Sequence, residues 1–204
     1  MNALPQLHGE FVFLSASFPS GARAQRFPAA DPAGIADAVS SLARAVFEAD
    51  GRLVFGAHPT ISPLVLQIAA ELDKRARVDI YQSSWFEGQV PPETLRLVDQ
   101  GYGRIVWTPA DDSRDESLST MRRRMLSEPI AGGVFVGGME GVVDEHNLFA
   151  SLHPAAPRLA FTAPGGAAST LQNESLPRSL SEALASARYP AAARAAVGFI
   201  TGKG

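Results

Sequence analysis

The chain has 204 residues, of which 46% are hydrophobic and 19% charged, with a formal net charge of −3. Those values suit one globular domain with a sizeable core, and they leave no positive footprint for nucleic acid. There is no cysteine, which excludes disulfides, thiolate catalysis and cysteine-bound metals.

Phe11 to Leu14 is an apolar run ending in Ser15-Ala16-Ser17 and then Phe18-Pro19-Ser20-Gly21, the pattern of a buried strand followed by a polar loop. Residues 21–32 read as irregular. Ile35, Val39, Leu42 and Val46 recur at helical spacing in a helix that Gly51 ends. Leu53 to Phe55 is a second strand, followed by the turn Gly56-Ala57-His58-Pro59-Thr60. Ser62-Pro63 then reads as an N-cap with proline at the first helical position. Val78 to Tyr81 is a third strand, Pro91 to Val98 a short helix and Arg104 to Trp107 a fourth strand. Asp115 to Ser127 is a charged amphipathic helix with Leu118, Met121 and Met125 on one face.

Val134 to Val136 is a fifth strand. It meets the glycine pair Gly137 and Gly138, then Met139, Glu140 and Gly141, before a helix from Val142 to Leu152 whose first turn carries Asp144 and Glu145. Arg158 to Phe161 is a sixth strand, with a second glycine turn at residues 163–168. Residues 172–180 are polar and proline-interrupted. An alanine-rich tail at about residues 181–204 predicts helix in pieces, broken near Pro190. No linker divides the chain, so residues 1–204 form a single domain.

Strands alternating with helices predict an α/β fold: a doubly wound, mainly parallel sheet of about six or seven strands with helices on both faces. Ligands of such sheets bind beyond the carboxyl ends of the strands. Here those ends carry Ser15 to Ser17, Gly56 to Thr60, Ser83-Ser84, Thr108, Gly137 to Gly141 and Gly165-Gly166. Glycines let backbone amides face a phosphate or ribose. Ser15 and Ser17 either hydrogen-bond a nucleotide or cap turns, and Ala16 and Ser83 are counted with them as ligand-binding. His58 either contacts phosphate or fills its loop. Asp144 and Glu145 either complement the helix dipole, bind ribose hydroxyls, or act as acid and base. Arg122, beside Met121, is the arginine expected to reach a phosphate. The four histidines lack metal-ligand spacing, so no metal or other cofactor is expected. No run is apolar enough to cross a membrane and no secretory pattern opens the chain, which makes the cytoplasm the expected location.

Four segments, in order, resemble the SLOG superfamily of LOG-like proteins. FVFLSASFPSG (Phe11 to Gly21) looks like the first strand with its serine loop. LVFGAHPTISPLVLQIA (Leu53 to Ala69) resembles the LVYGGG-x-x-GLMG segment. STMRRRML (Ser119 to Leu126) resembles the RK-x-x-M helix, and VFVGGMEGVVDE (Val134 to Glu145) the PGG-x-GT-x-x-E signature. The resemblance implies a Rossmann-like fold and phosphoribohydrolase relatives that release cytokinin bases from nucleoside monophosphates. It also implies a homodimer or higher homo-oligomer. Yet Met121 falls where the catalytic arginine belongs, with Arg122 in the lysine's place. One glycine, Gly56, stands for three, and the signature has one extra residue before Glu145. The pattern is closer to divergent branches of bacterial conflict and antiviral systems. The function so implied is binding of a nucleotide or nucleotide-derived molecule such as NAD, ADP-ribose or a nucleoside monophosphate, with signalling as its purpose. The alternative is an N-glycosidase in which Glu145 and Arg122 are catalytic.

Overall fold

The computed structural model describes residues 6–171 and 176–202. The first four residues of the polar stretch 172–180 thus lie outside the described residues. The sheet has six strands, all parallel, in the order β4-β3-β2-β1-β5-β6. They are β1 (Phe11–Ser17), β2 (Arg52–Gly56), β3 (Val78–Ser83), β4 (Gly103–Thr108), β5 (Ile130–Gly137) and β6 (Arg158–Phe161). Seven helices are found among the described residues: α1 (Pro32–Glu48), α2 (Ile61–Glu71), α3 (Pro92–Asp99), α4 (Arg114–Met125), α5 (Glu140–Leu152), α6 (Arg178–Leu184) and α7 (Tyr189–Ile200). The fold is Rossmann-like α/β.

Strand alternation sends successive side chains to opposite faces. Val12 and Leu14 join the larger core, shared with α1, α2, α3, α6 and α7. Phe13 joins the smaller core under α4 and α5, where its ring stacks on Phe149 at 5.7 Å and meets Phe135 edge-on at 5.9 Å. The chain winds outward from β1 to β4 and returns to β5 on the far side of β1. The strand order therefore reverses between β1 and β5, and a crevice opens at their carboxyl ends. Ser17 pairs with Gly137 there, in the last register of the β1–β5 ladder.

Several ends differ from the sequence reading. Five of the strands run longer than their apolar runs because ladder bonds continue through the polar and glycine residues at their ends. Helix α1 turns over at Asp50, whose φ of +58° is left-handed. Gly51, expected to end it, instead donates its amide to the Val46 carbonyl at 2.8 Å and lies where a Cβ would strike Leu7. Ser62 does not cap α2; it lies within the first turn. Helix α5 begins two residues earlier than expected, so Asp144 and Glu145 occupy its second turn and Glu140 its first. The tail is helical in two pieces, but Pro190 sits inside the first turn of α7, where its missing amide costs nothing. The break falls before it, between α6 and α7. Ala192, Ala193, Ala196 and Val197 are buried, and Tyr189 Oη comes within 2.6 Å of where a Cβ on Gly34 would stand, which docks α7 on α1.

Candidate functional site

A cleft of about 690 Å³ occupies the crevice between β1 and β5. Its floor is Ser15, Ala16 and Ser17 from the end of β1, and one wall is Gly56 and His58 after β2. The opposite wall is the start of α5, with Met139, Glu140, Gly141 and Glu145. Helix α4 closes the side with Met121 and Arg122. Segments far apart in sequence are thus brought together. Thr60, Ser83, Gly137 and Gly138 do not line the cleft.

The centre of the cleft is the Glu145 carboxylate. Ser15 Oγ donates to its Oε2 at 2.6 Å, and Arg122 Nε donates to its Oε1 at 3.2 Å. Arg122 also lies 3.8 Å from Asp144. The Glu145 side chain is only 14% exposed, and that burial raises its carboxyl above the ordinary 4.5 although Arg122 and Ser15 pull the other way. Gly141 makes the arrangement possible: a Cβ there would stand 3.0 Å from Arg122 Nη2. The guanidinium therefore lies against the first turn of α5.

The glycine pair does a different job from the one its sequence suggests. Gly137 and Gly138 are buried with φ of +60° and +75°, conformations that favour glycine. The Gly138 amide is spent on the Ser17 carbonyl at 2.8 Å. A Cβ on Gly137 would strike Ile35, and one on Gly138 would stand 2.1 Å from Val142. The pair thus turns the chain and packs it. Met139, just before α5, and Glu140 and Gly141 in its first turn line the cleft, and the first amides of a helix have no partner one turn back. Gly56 admits Met121, whose Cε would lie 3.2 Å from a Cβ there.

Glu140 pairs with Arg26 at 3.3 Å, while its Oε2 is buried without a hydrogen-bond partner. His58 is partly buried, its imidazole pKa lowered by that burial, and its Nδ1 accepts from the Thr60 amide. Ser83 is fully buried, and its hydroxyl accepts from the Trp85 amide at 3.1 Å, capping the turn Ser84–Phe86.

Arg23, Arg114 and Asp115 also line the cleft and escaped the sequence reading. Arg23 belongs to a short 3-10 helix, Ala22–Arg26, inside the stretch 21–32 that reads as irregular, and has no local signal. Arg114 and Asp115 had one: Ser113-Arg114-Asp115-Glu116 has the capping-box spacing, and Ser113 Oγ caps α4 by accepting from the Glu116 amide at 3.2 Å while it donates to the Glu116 carboxylate at 2.8 Å. That cap sets the start of α4 at the rim.

Chemically, first-turn amides and arginines suit an anion, and Glu145 beside Ser15 and Ser17 suits hydroxyl groups. No group of histidines and carboxylates able to hold a metal occurs among the described residues, and no helix among them is long and apolar enough to cross a membrane. No curated protein matches the chain. The model of the SLOG cluster3 family matches residues 25–194, from the loop after β1 into α7, and with that span the chain belongs to the SLOG cluster3 family.

Proposed function

We propose that the chain binds a nucleotide or nucleotide-derived small molecule, of the NAD, ADP-ribose or nucleoside monophosphate kind, and works as a sensor in a bacterial defence or signalling system. One observation carries the reading: in the cleft at the switch point, a buried carboxylate held by Ser15 and Arg122 shares the lining with the first residues of α5. A ligand with hydroxyls at one end and phosphate at the other matches that pairing of acceptor and donors. Binding is favoured over turnover because both Glu145 oxygens are engaged and Met121 stands where the resemblance puts an arginine. Thermal shift and calorimetry against AMP, ADP-ribose, cyclic ADP-ribose isomers and NAD test it. A ligand at a hundred times its Kd adds about 2.7 kcal/mol, so no stabilisation at millimolar ligand would overturn the reading.

A second reading is an N-glycosidase. It is favoured by the burial of Glu145, which raises its carboxyl above the ordinary value, the direction a general acid needs. Chromatography for released base decides between the two, with Glu145→Gln as control. We place the protein in the cytoplasm as a homodimer or higher homo-oligomer, which light scattering checks.

A further inference from the structure

His58 is held by its backbone surroundings in a way that decides what it can offer a ligand. Its Nδ1 accepts from the Thr60 amide at 3.2 Å and lies 3.4 Å from the Ile61 amide. Its own amide donates to Ser62 Oγ at 3.0 Å, which fixes the loop on the first turn of α2. Thr60, the residue before α2, makes no side-chain cap bond. The imidazole nitrogen thus serves the two amides that lead into α2, which would otherwise lack a partner in the helix.

A ring nitrogen that accepts from amides carries no proton, so the neutral ring keeps its proton on Nε2. A doubly protonated ring would set Nδ1–H against those amides at the positive end of the α2 dipole. Burial acts in the same sense. His58 lines the cleft beside the Phe18 ring, 6.4 Å away between centroids. Nε2 has no hydrogen-bond partner among the described residues.

We propose that His58 is a donor-only group of the cleft: the α2 amides hold Nδ1 as an acceptor, and Nε2–H gives one hydrogen bond to an acceptor atom of the ligand. That atom is a phosphoryl or carbonyl oxygen or an unprotonated ring nitrogen. His58 is then a specificity residue that rejects amino groups at its position and takes no proton. The assignment of a ligand rests on the nucleotide reading above; the tautomer does not.

Nitrogen NMR of the histidine-labelled, ligand-free chain at neutral pH should show a pyridine-like Nδ1 and a pyrrole-like Nε2 for His58. A protonated Nδ1 would overturn the proposal without any ligand. Two variants then separate the ring's two ends. Asn in His58→Asn keeps an acceptor near the place of Nδ1 and has nothing at Nε2. It should hold Tm within about 2 °C of native, since an acceptor for the Thr60 amide survives, and weaken ADP-ribose about tenfold, the loss of one hydrogen bond. His58→Gln, whose amide reaches the place of Nε2, should lower Tm and keep more of the affinity than His58→Asn. Pyrophosphate as a second probe tells the acceptor's source: equal weakening of both probes points to a phosphoryl oxygen, and weakening of ADP-ribose alone to its ribose or base. Unchanged affinity in His58→Asn would sink the donor role. Failure of the native chain to bind either probe would remove the nucleotide reading and the donor role together, leaving the tautomer to the spectrum.

Discussion

Ser15 Oγ donates to Glu145 Oε2 over 2.6 Å, tying the end of β1 to the second turn of α5. That bond crosses the line where the sheet reverses its winding. It makes the carboxylate part of both halves of the fold, and the Arg122 bond extends the tie to α4.

The first prediction concerns pH. Glu145 has a folded pKa above the unfolded 4.5, with burial the largest cause. Between those two values the folded chain binds more protons than the unfolded one, so this residue's contribution to stability is greatest at low pH and declines as pH rises through the folded pKa. Glu145→Gln keeps an acceptor and a similar shape without the charge. We expect its Tm to exceed the native value at pH 7 and the difference to close below about pH 4. A lower Tm at pH 7, read by calorimetry, would mean that pairing with Arg122 outweighs burial.

Gly141→Ala should separate stability from binding. Alanine in a helix gains roughly 0.5–1 kcal/mol over glycine, so the fold should strengthen or hold. The new Cβ, 3.0 Å from Arg122 Nη2, would make the end of the guanidinium give by a few tenths of an ångström and disturb its seat on the α5 turn. Affinity for ADP-ribose should fall several-fold by calorimetry, and undiminished affinity would show that the arginine's seat is immaterial.

Gly138→Ala should weaken the fold instead. Its φ of +75° costs an L-residue about 1–2 kcal/mol, and the Cβ would stand 2.1 Å from Val142. Overpacking adds about 1–3 kcal/mol. Urea unfolding should show a loss of roughly 2 kcal/mol or more. A midpoint within error of native would contradict the packing described for this turn.

Asp79 is 2% exposed and binds Arg52 of β2 at 3.1 Å and Arg104 of β4 at 2.6 Å. Removing one partner of a buried pair costs about 3–5 kcal/mol. Arg104 is 64% exposed and can turn back to water, so Asp79→Ala should lose a smaller amount, roughly 1–3 kcal/mol. Asp79→Asn should lose less. Denaturant titration of both variants gives the ranking, and the reverse order would refute the ion-pair account.

Much of this architecture is legible from pattern. Apolar runs at Phe11, Leu53, Val78, Arg104 and Val134, each followed by a helical period, dictate a parallel sheet, and the sheet dictates where a ligand goes. What pattern misses is what depends on the far side of the molecule. The apolar run puts the start of β5 at Val134, but Gly132 and Gly133 are strand residues too, paired with Val12 and Phe13 of β1, and Ile200 and the Phe149 ring leave little room for a Cβ there. Met139 caps α5 without a side-chain bond, so nothing local marks its start. Hydroxyls beyond a strand look alike in sequence, yet Ser15 turns to a carboxylate in the cleft and Ser83 turns inward to a turn amide. Arg23 reaches the cleft from a 3-10 turn that no hydrophobic period announces.

The docking of α7 on α1 bears on how the chain is made. Helix α1 leaves the ribosome well before α7, and the surface that Ala192, Ala193 and Ala196 cover stays bare until residues 189–200 follow. Translation proceeds at about 5–20 residues per second, so the nascent sheet spends seconds with an open apolar flank. Synthesis of this chain should therefore lean on chaperones that hold exposed apolar surface, and slow codons placed between β6 and α7 should lower the yield of native protein.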